Sequence, residues 1–286
     1  MGDRREGFGE RLRTATTSVS PLCLGIDPSA TLLGRWDLED SAGGVETFGR
    51  RAIEAAVGIA AAIKPQVAFF ERHGSAGFAA LERVLADARD AGIIAIADAK
   101  RGDIDSTMAA YGDAWLGDDS SLRADAMTAT SYLGLAAMSG VLEQAVATGR
   151  GVIVVVASSN PEGRELQEAR ASSGASVEES LLAELGHRND EERRASATAL
   201  GSLGAVIGAT RTAGSLDLAP FGGPILVPGV GAQGATPADV ANLFSSCLRG
   251  SILVNASRSI LAAGPRLTEL RSAASSLADE LSSVLL

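Results

Sequence analysis

Two lysines, Lys64 and Lys100, stand in a chain whose other 23 basic residues are all arginine. Arginine serves wherever a positive charge alone is needed, so the two exceptions mark positions that ask for something a guanidinium does not supply. A lysine ammonium is compact and can give up a proton, whereas arginine stays protonated. Each lysine follows a short apolar run that reads as a β-strand, and Lys100 lies inside Asp98-Ala99-Lys100-Arg101-Gly102-Asp103. Asp98 and Lys100, two apart on an extended segment, point the same way. With Lys64 arriving from the neighbouring strand, charges of alternating sign meet at short range, which opposes the desolvation of any one of them. The pair points to chemistry that a compact ammonium beside a carboxylate can perform and a guanidinium cannot. Asp103 is either a further carboxylate of this group or the N-cap of the next helix, with Ser106 and Thr107 in its first turn.

A second group of residues suits an anion. Pro228-Gly229-Val230-Gly231-Ala232-Gln233-Gly234 holds three glycines in six residues, so its backbone can approach a ligand with no Cβ in the way. Thr236-Pro237 then reads as an N-cap followed by proline at the first helical position. Arg258 brings a fork suited to phosphate oxygens. The competing reading is a tight turn beside a surface arginine. The loop and Arg258 occur together at the ends of the last two apolar runs, which favours a phosphate site.

These groups need a scaffold that gathers strand ends. Short apolar runs bounded by Gly, Pro, Asp or Ser predict strands at Leu22–Ile26, Ala60–Ile63, Ile93–Ala97, Ala126–Thr130, Val152–Ala157, Ala205–Ala209, Ile225–Val227 and Ile252–Asn255. Helical spacing predicts Phe78–Ala91, Leu133–Thr148, Pro237–Leu248 and Leu267–Leu285 between or after them, with a covering helix near Phe8–Thr17 before the first strand. Strand and helix alternating eight times implies a parallel sheet closed as a (β/α)8 TIM barrel, a single domain over residues 1–286. In such a barrel the residues after each strand share one face: Asp27, Lys64, Asp98 and Lys100, Ser158-Ser159-Asn160, Pro228 to Gly234, and Ser257-Arg258. Pro161–Ser202, rich in Ser, Glu and Arg, is longer than a simple connection needs. It reads as an extended segment after strand five, one helical excursion plus a mobile stretch.

Composition narrows the function. Hydrophobic residues make up 46% and aromatics 4%, so Ala, Val, Ile and Leu build the core, as in a buried parallel sheet. A net charge of −10 argues against nucleic acid or an anionic membrane as partner. Cys23 and Cys247 do not make a disulfide framework. His73 and His187 lack zinc-site spacing, so no metal is expected. No apolar stretch reaches the length of a membrane span, and Met1–Val19 lacks a signal-peptide apolar region, so a cytoplasmic protein is expected.

The motifs Asp-x-Lys-x-x-Asp, Lys64-Pro65, Pro-Gly-Val-Gly-Ala-Gln-Gly and Ser-Arg-Ser resemble those of the orotidine 5′-phosphate decarboxylases. The resemblance runs from Leu22 to about Leu261. The long segment after Pro161 and the Asn255-Ala256-Ser257-Arg258 ending resemble the longer bacterial branch. It implies cofactor-independent decarboxylation of a nucleotide, orotidine 5′-monophosphate, to UMP, in a homodimer with shared active sites. Lys100 would stabilise and protonate the C6 carbanion, Asp98 would lie against the substrate carboxylate, and Lys64 would hold Asp98 and a ribose hydroxyl. Asp103, Ile104 and Thr107 would reach the partner subunit's site. Asp27 would bind ribose hydroxyls and Ser159, or its neighbours Ser158 and Asn160, the pyrimidine edge. Pro228 would line the substrate, and Gly231, Gln233, Ser257 and Arg258 would hold the phosphate. Ser257 departs from compact members, which carry glycine there. Two other readings share this frame: a Mg-dependent sugar-phosphate decarboxylase or lyase of the same barrel group, and a non-catalytic phosphate-binding barrel. The second leaves both lysines unexplained.

Overall fold

Eight strands close in chain order into one parallel barrel: β1 (Leu22–Ile26), β2 (Ala62–Pro65), β3 (Ile94–Arg101), β4 (Ala126–Ala129), β5 (Gly151–Ala157), β6 (Leu203–Ile207), β7 (Ile225–Val227) and β8 (Ile252–Ala256). β8 closes on β1 with Leu22 opposite Val254 and Cys23 opposite Asn255. The computed structural model describes residues 6–231 and 234–286, so Gln233, expected at the phosphate, lies outside the described residues.

A strand covered on both faces has no reason to alternate apolar with polar, and every residue of β1, β6 and β7 is buried. The inward side chains Cys23, Ala62, Ile94, Ile96, Ala126, Ile153, Val206, Leu226 and Leu253 form one cluster inside the barrel. Phe8 and Leu12 of helix α1 (Phe8–Ser18) complete that cluster, both fully buried. The Phe8 ring lies against Gly151, the first residue of β5, so α1 stoppers the N-terminal end of the barrel as expected from its position before β1. Burying those two side chains is worth about 2–3 kcal/mol each as an upper bound.

Outside the strands, α2 (Ala42–Ala56), α3 (Gly74–Asp90), α4 (Asp105–Leu116), α5 (Ser139–Ala147), α6 (Val177–Ser196), α7 (Pro237–Leu243) and α8 (Leu267–Leu285) supply a second, larger apolar cluster. Thr236 caps α7 as predicted: its Oγ1 accepts the Asp239 N–H, and Asp239 returns to the Thr236 N–H.

Several expected boundaries move. β2 runs to Pro65 and β3 to Arg101, so Lys64, Asp98 and Lys100 lie within strands rather than after them. Apolar runs report burial, whereas ladder bonding continues through a charged residue whose side chain finds partners inside. β6 starts two residues earlier than predicted and stops at Ile207. The predicted helix 133–148 divides into a 3-10 turn, Leu135–Met138, followed by α5. The excursion after β5 includes the barrel's own helix: α6, set by a Ser176/Glu179 capping box, packs on β5 and β6. Alternation also fails once, because the β6–β7 connection, residues 208–224, holds turns and no helix.

Candidate active site

The C-terminal ends of the strands bring the two lysines onto one carboxylate. Asp98 Oδ2 accepts Lys64 Nζ at 2.5 Å and Gln66 Nε2 at 3.0 Å, and Oδ1 accepts Lys100 Nζ at 2.5 Å and Thr128 Oγ1 at 2.8 Å. Four donors on two oxygens use the carboxylate's full accepting capacity. Lys64 and Asp98 are 5% and 6% exposed, while half of the Lys100 side chain, 49%, faces the open bowl. Burial pushes the Asp98 carboxyl up, yet the two ammonium groups outweigh it and hold its pKa far below the ordinary carboxylate range. Burial likewise opposes charge on Lys64, and the carboxylates of Asp98 and then Asp27 lift it to about 12.

The backbone is bent to achieve this. Lys100 adopts φ +46°, in the left-handed region, and the β3–β4 register shifts between Ala97 and Arg101. Such a conformation in a non-glycine residue costs on the order of 1–3 kcal/mol and persists where surrounding bonds over-determine it. Here Thr128 Oγ1 accepts the Lys100 N–H at 3.0 Å while donating to Asp98. Arg101 turns outward, its guanidinium over the rings of Tyr111 and Trp115 in α4 and paired with Glu71.

Gln66 and Thr128 are the contributors that sequence reading missed. Thr128 lies two residues after Ala126, on the same inward face of β4, and that spacing was the available signal. Gln66 stands two after Lys64 and bridges to Asp98 between β2 and β3.

The remaining predicted residues divide. Asp27, at the end of β1, is near enough to influence the Lys64 ammonium, and its Oδ1 is buried without a hydrogen-bond partner. Ser158 is occupied: its N–H donates to Gln167 Oε1 at 3.0 Å and its hydroxyl accepts Gln167 Nε2 at 2.8 Å. Asn160 donates to Glu162. The half-buried Ser159 is held only through its carbonyl, by Thr210 Oγ1 at 3.1 Å, so among the three its hydroxyl alone has no side-chain bond. Arg211, beyond β6, anchors this segment through Glu168 at 2.9 Å and through both oxygens of the buried Glu178 at 2.6 Å.

In the strand-seven loop Gly229, Gly231 and Gly234 all take positive φ. The Gly231 N–H is engaged by Ala235 O, so what Gly231 offers an anion is room rather than a donor. Pro228 O is engaged by the Ala209 N–H. A Cβ on Gly231 would touch Ser259, placing the loop beside the end of β8. There Arg258 is exposed with no ion pair among the described residues, and Ser257 Oγ is buried without a partner. Among the described residues, no hydrogen bond or ion pair joins Asp103, Ile104 or Thr107 to the Asp98 cluster. Asp103 accepts the Ile104 N–H and does not cap α4, whose N-cap residue is Ile104. Burial pushes the Cys23 thiol up to about 12 and Cys247 to about 11, so neither is a nucleophile. Among the described residues no group of three or more His, Cys, Asp or Glu side chains is disposed to hold a metal ion.

A sequence model described as orotidine 5′-phosphate decarboxylase / HUMPS family matches residues 20–273. The orotidine 5′-phosphate decarboxylase of Streptomyces coelicolor is 47% identical over 277 residues, covering 96% of this chain and 97% of the relative. That of Salinispora arenicola is 45% identical over 269 residues, covering 94% and 95%. Among solved structures, the Leishmania donovani OMP decarboxylase superposes with a TM-score of 0.75 at 27% identity, over 97% of this chain and 98% of the other. A Streptomyces avermitilis crystal structure assigned to the same enzyme gives 0.92 at 44% identity, over 100% and 98%.

Proposed function

The chain belongs to the orotidine 5′-phosphate decarboxylase / HUMPS family, and from that premise we propose that it converts orotidine 5′-monophosphate to UMP in pyrimidine nucleotide synthesis, without a cofactor. The observation that supports this best is Asp98 clamped between two ammonium groups, one buried and one facing the bowl.

Loss of CO2 from C6 of the pyrimidine leaves a localised carbanion with no electron sink. A fixed positive charge at that carbon must therefore supply much of the rate enhancement. Lys100 provides it: the C6–carboxylate bond breaks, its electron pair stays on C6, and an N–H proton of Lys100 completes UMP. Because Lys100 is half exposed, it regains a proton from water once product leaves. Asp98, charged and saturated with donors, fixes the ammonium in position and lies against the leaving carboxylate. Lys64 holds Asp98 and reaches a ribose hydroxyl.

The other assignments follow the bowl. Asp27 binds ribose hydroxyls, Ser159 the pyrimidine edge, and Pro228 lines the ring. Gly231, Gln233, Ser257 and the exposed Arg258 receive the phosphate. Phosphate binding far from C6 contributes energy that orients the ring. We take the chain as one domain over 1–286 and a cytoplasmic homodimer, with Asp103, Ile104 and Thr107 completing the partner's site. Ile104, Tyr132 and Leu133 support the dimer: they are 48%, 81% and 55% exposed on the neighbouring β3 and β4 ends. No helix among the described residues is long and apolar enough to cross a membrane.

A Mg-dependent sugar-phosphate decarboxylase or lyase is not favoured, because both Asp98 oxygens are already engaged by donors. Loss of orotidine monophosphate absorbance tests the proposal: turnover should persist after EDTA, and Lys100→Arg should bind UMP yet turn over at least a thousand-fold more slowly. Near-wild-type kcat in that variant would rule out Lys100 as proton donor.

A further inference from the structure

Among the described residues, three buried oxygens with no hydrogen-bond partner stand on the adjoining ends of β8 and β1: Asp27 Oδ1, Asn255 Oδ1 and Ser257 Oγ. On β8 the inward set runs Leu253, Asn255, Ser257, and on β1 it runs Cys23, Gly25, Asp27. Gly25 is what lets the two sets meet. A Cβ there would sit 3.0 Å from Asn255 Oδ1, 3.3 Å from Asn255 Nδ2 and 3.0 Å from Ser257 Cβ. The Asn255 amide therefore spreads over the bare Cα of Gly25, between the Cys23 layer below and Asp27 above, and makes no side-chain hydrogen bond among the described residues. Leaving a buried polar atom unmet costs stability, so three on two adjacent strand ends call for a common ligand.

The chemistry of that ligand follows from the atoms. Carboxylate and amide oxygens are pure acceptors, so the ligand must bring donors. A phosphate dianion brings none, and the pyrimidine edge is proposed to lie across the barrel at Ser159. A ribose diol brings two O–H groups. Exchanging the oxygen and nitrogen of Asn255 leads to the same group, since a hydroxyl also accepts. We propose that Asn255 is a substrate-binding residue that, beside Asp27, holds a ribose hydroxyl of the nucleotide whose phosphate Ser257 receives; this rests on the decarboxylase reading above.

The test is a binding matrix measured by calorimetry: wild type, Asn255→Leu and Asn255→Asp against UMP, 2′-deoxy-UMP and 3′-deoxy-UMP. Leucine keeps the shape over Gly25 and removes the amide. UMP should bind the leucine variant about ten-fold more weakly, while the deoxynucleotide lacking the relevant hydroxyl binds wild type and variant within about two-fold. Asn255→Asp, which keeps the acceptor, should retain the wild-type ratio of UMP to deoxynucleotide affinity. Asn255→Ala repeats the comparison, so the result does not depend on one variant folding. An equal loss for all three ligands would mean that Asn255 only packs against Gly25, and would overturn the inference. Absence of orotidine monophosphate turnover by the wild type would instead sink the underlying reading, and the two failures are distinct.

Discussion

The hydroxyl of Thr128 donates to Asp98 Oδ1 at 2.8 Å and, in the same position, accepts the backbone N–H of Lys100 at 3.0 Å. One β4 side chain thus fixes both the carboxylate and the strained residue that carries the ammonium. Thr128→Val preserves volume and removes both bonds. Its kcat should fall about ten- to hundred-fold with a smaller change in KM, because misplacement rather than lost binding is the defect. Thr128→Ser should recover most of the loss; a valine variant with unchanged kcat would refute the positioning role.

The two lysines should respond differently to arginine. Lys64 is enclosed beside Asp98 and has no room for a planar fork, so Lys64→Arg should raise KM and lower kcat while leaving measurable turnover. Lys100→Arg keeps the charge but cannot deliver the proton. Steady-state kinetics on both variants should give a larger kcat loss at position 100, and the reverse order would contradict the division of labour.

The pH behaviour follows from the charge pair. Asp98 is depressed, so its contribution to stability is present above the ordinary carboxylate range and is lost as pH falls through its lowered pKa. Lys64 is raised, so its contribution is complete below its ordinary pKa and is lost as pH climbs through about 12. Neither group changes state between about pH 5 and 9. The kcat profile should therefore show no limb from either in that range, while kcat/KM should fall below about pH 6 as the substrate phosphate takes up a proton. A kcat limb in that range that Gln66→Ala, which removes one of the two donors on Asp98 Oδ2, moves to higher pH would show that Asp98 titrates there.

Arg211 and Glu178 form a buried pair with side chains each 5% exposed. Arg211→Ala strands the carboxylate and should cost about 3–5 kcal/mol in urea unfolding, whereas replacing both residues by methionine should cost far less. Equal losses would show that packing, rather than the unpaired charge, dominates.

A mixed dimer of Asp103→Asn and Lys100→Ala chains should recover a fraction of wild-type activity, since one site in the hybrid would be intact. No recovery would argue that Asp103 serves its own subunit.

The barrel was legible because a doubly covered strand leaves an unbroken apolar run, and all eight runs became strands. Their ends were not: β2 and β3 continue through Lys64, Asp98 and Lys100 because those charges neutralise one another inside. The bowl residues were readable as types at strand ends. Which of Ser158, Ser159 and Asn160 keeps its side chain free of a bond among the described residues was not, because Gln167 and Glu162 engage the other two and spacing does not place them. The helix-free β6–β7 connection also left no signal, since Leu218 and Phe221 bury themselves from turns.

The scarcity of lysine has a practical side. Of the two, Lys64 is sealed and Lys100 is half open, so, the N-terminal amine apart, an amine-selective reagent meets a single accessible lysine on this chain. Reductive methylation with labelled formaldehyde would install a spectroscopic reporter at the proposed reacting centre with no competing lysines to remove, and protection of that position would count occupied sites directly.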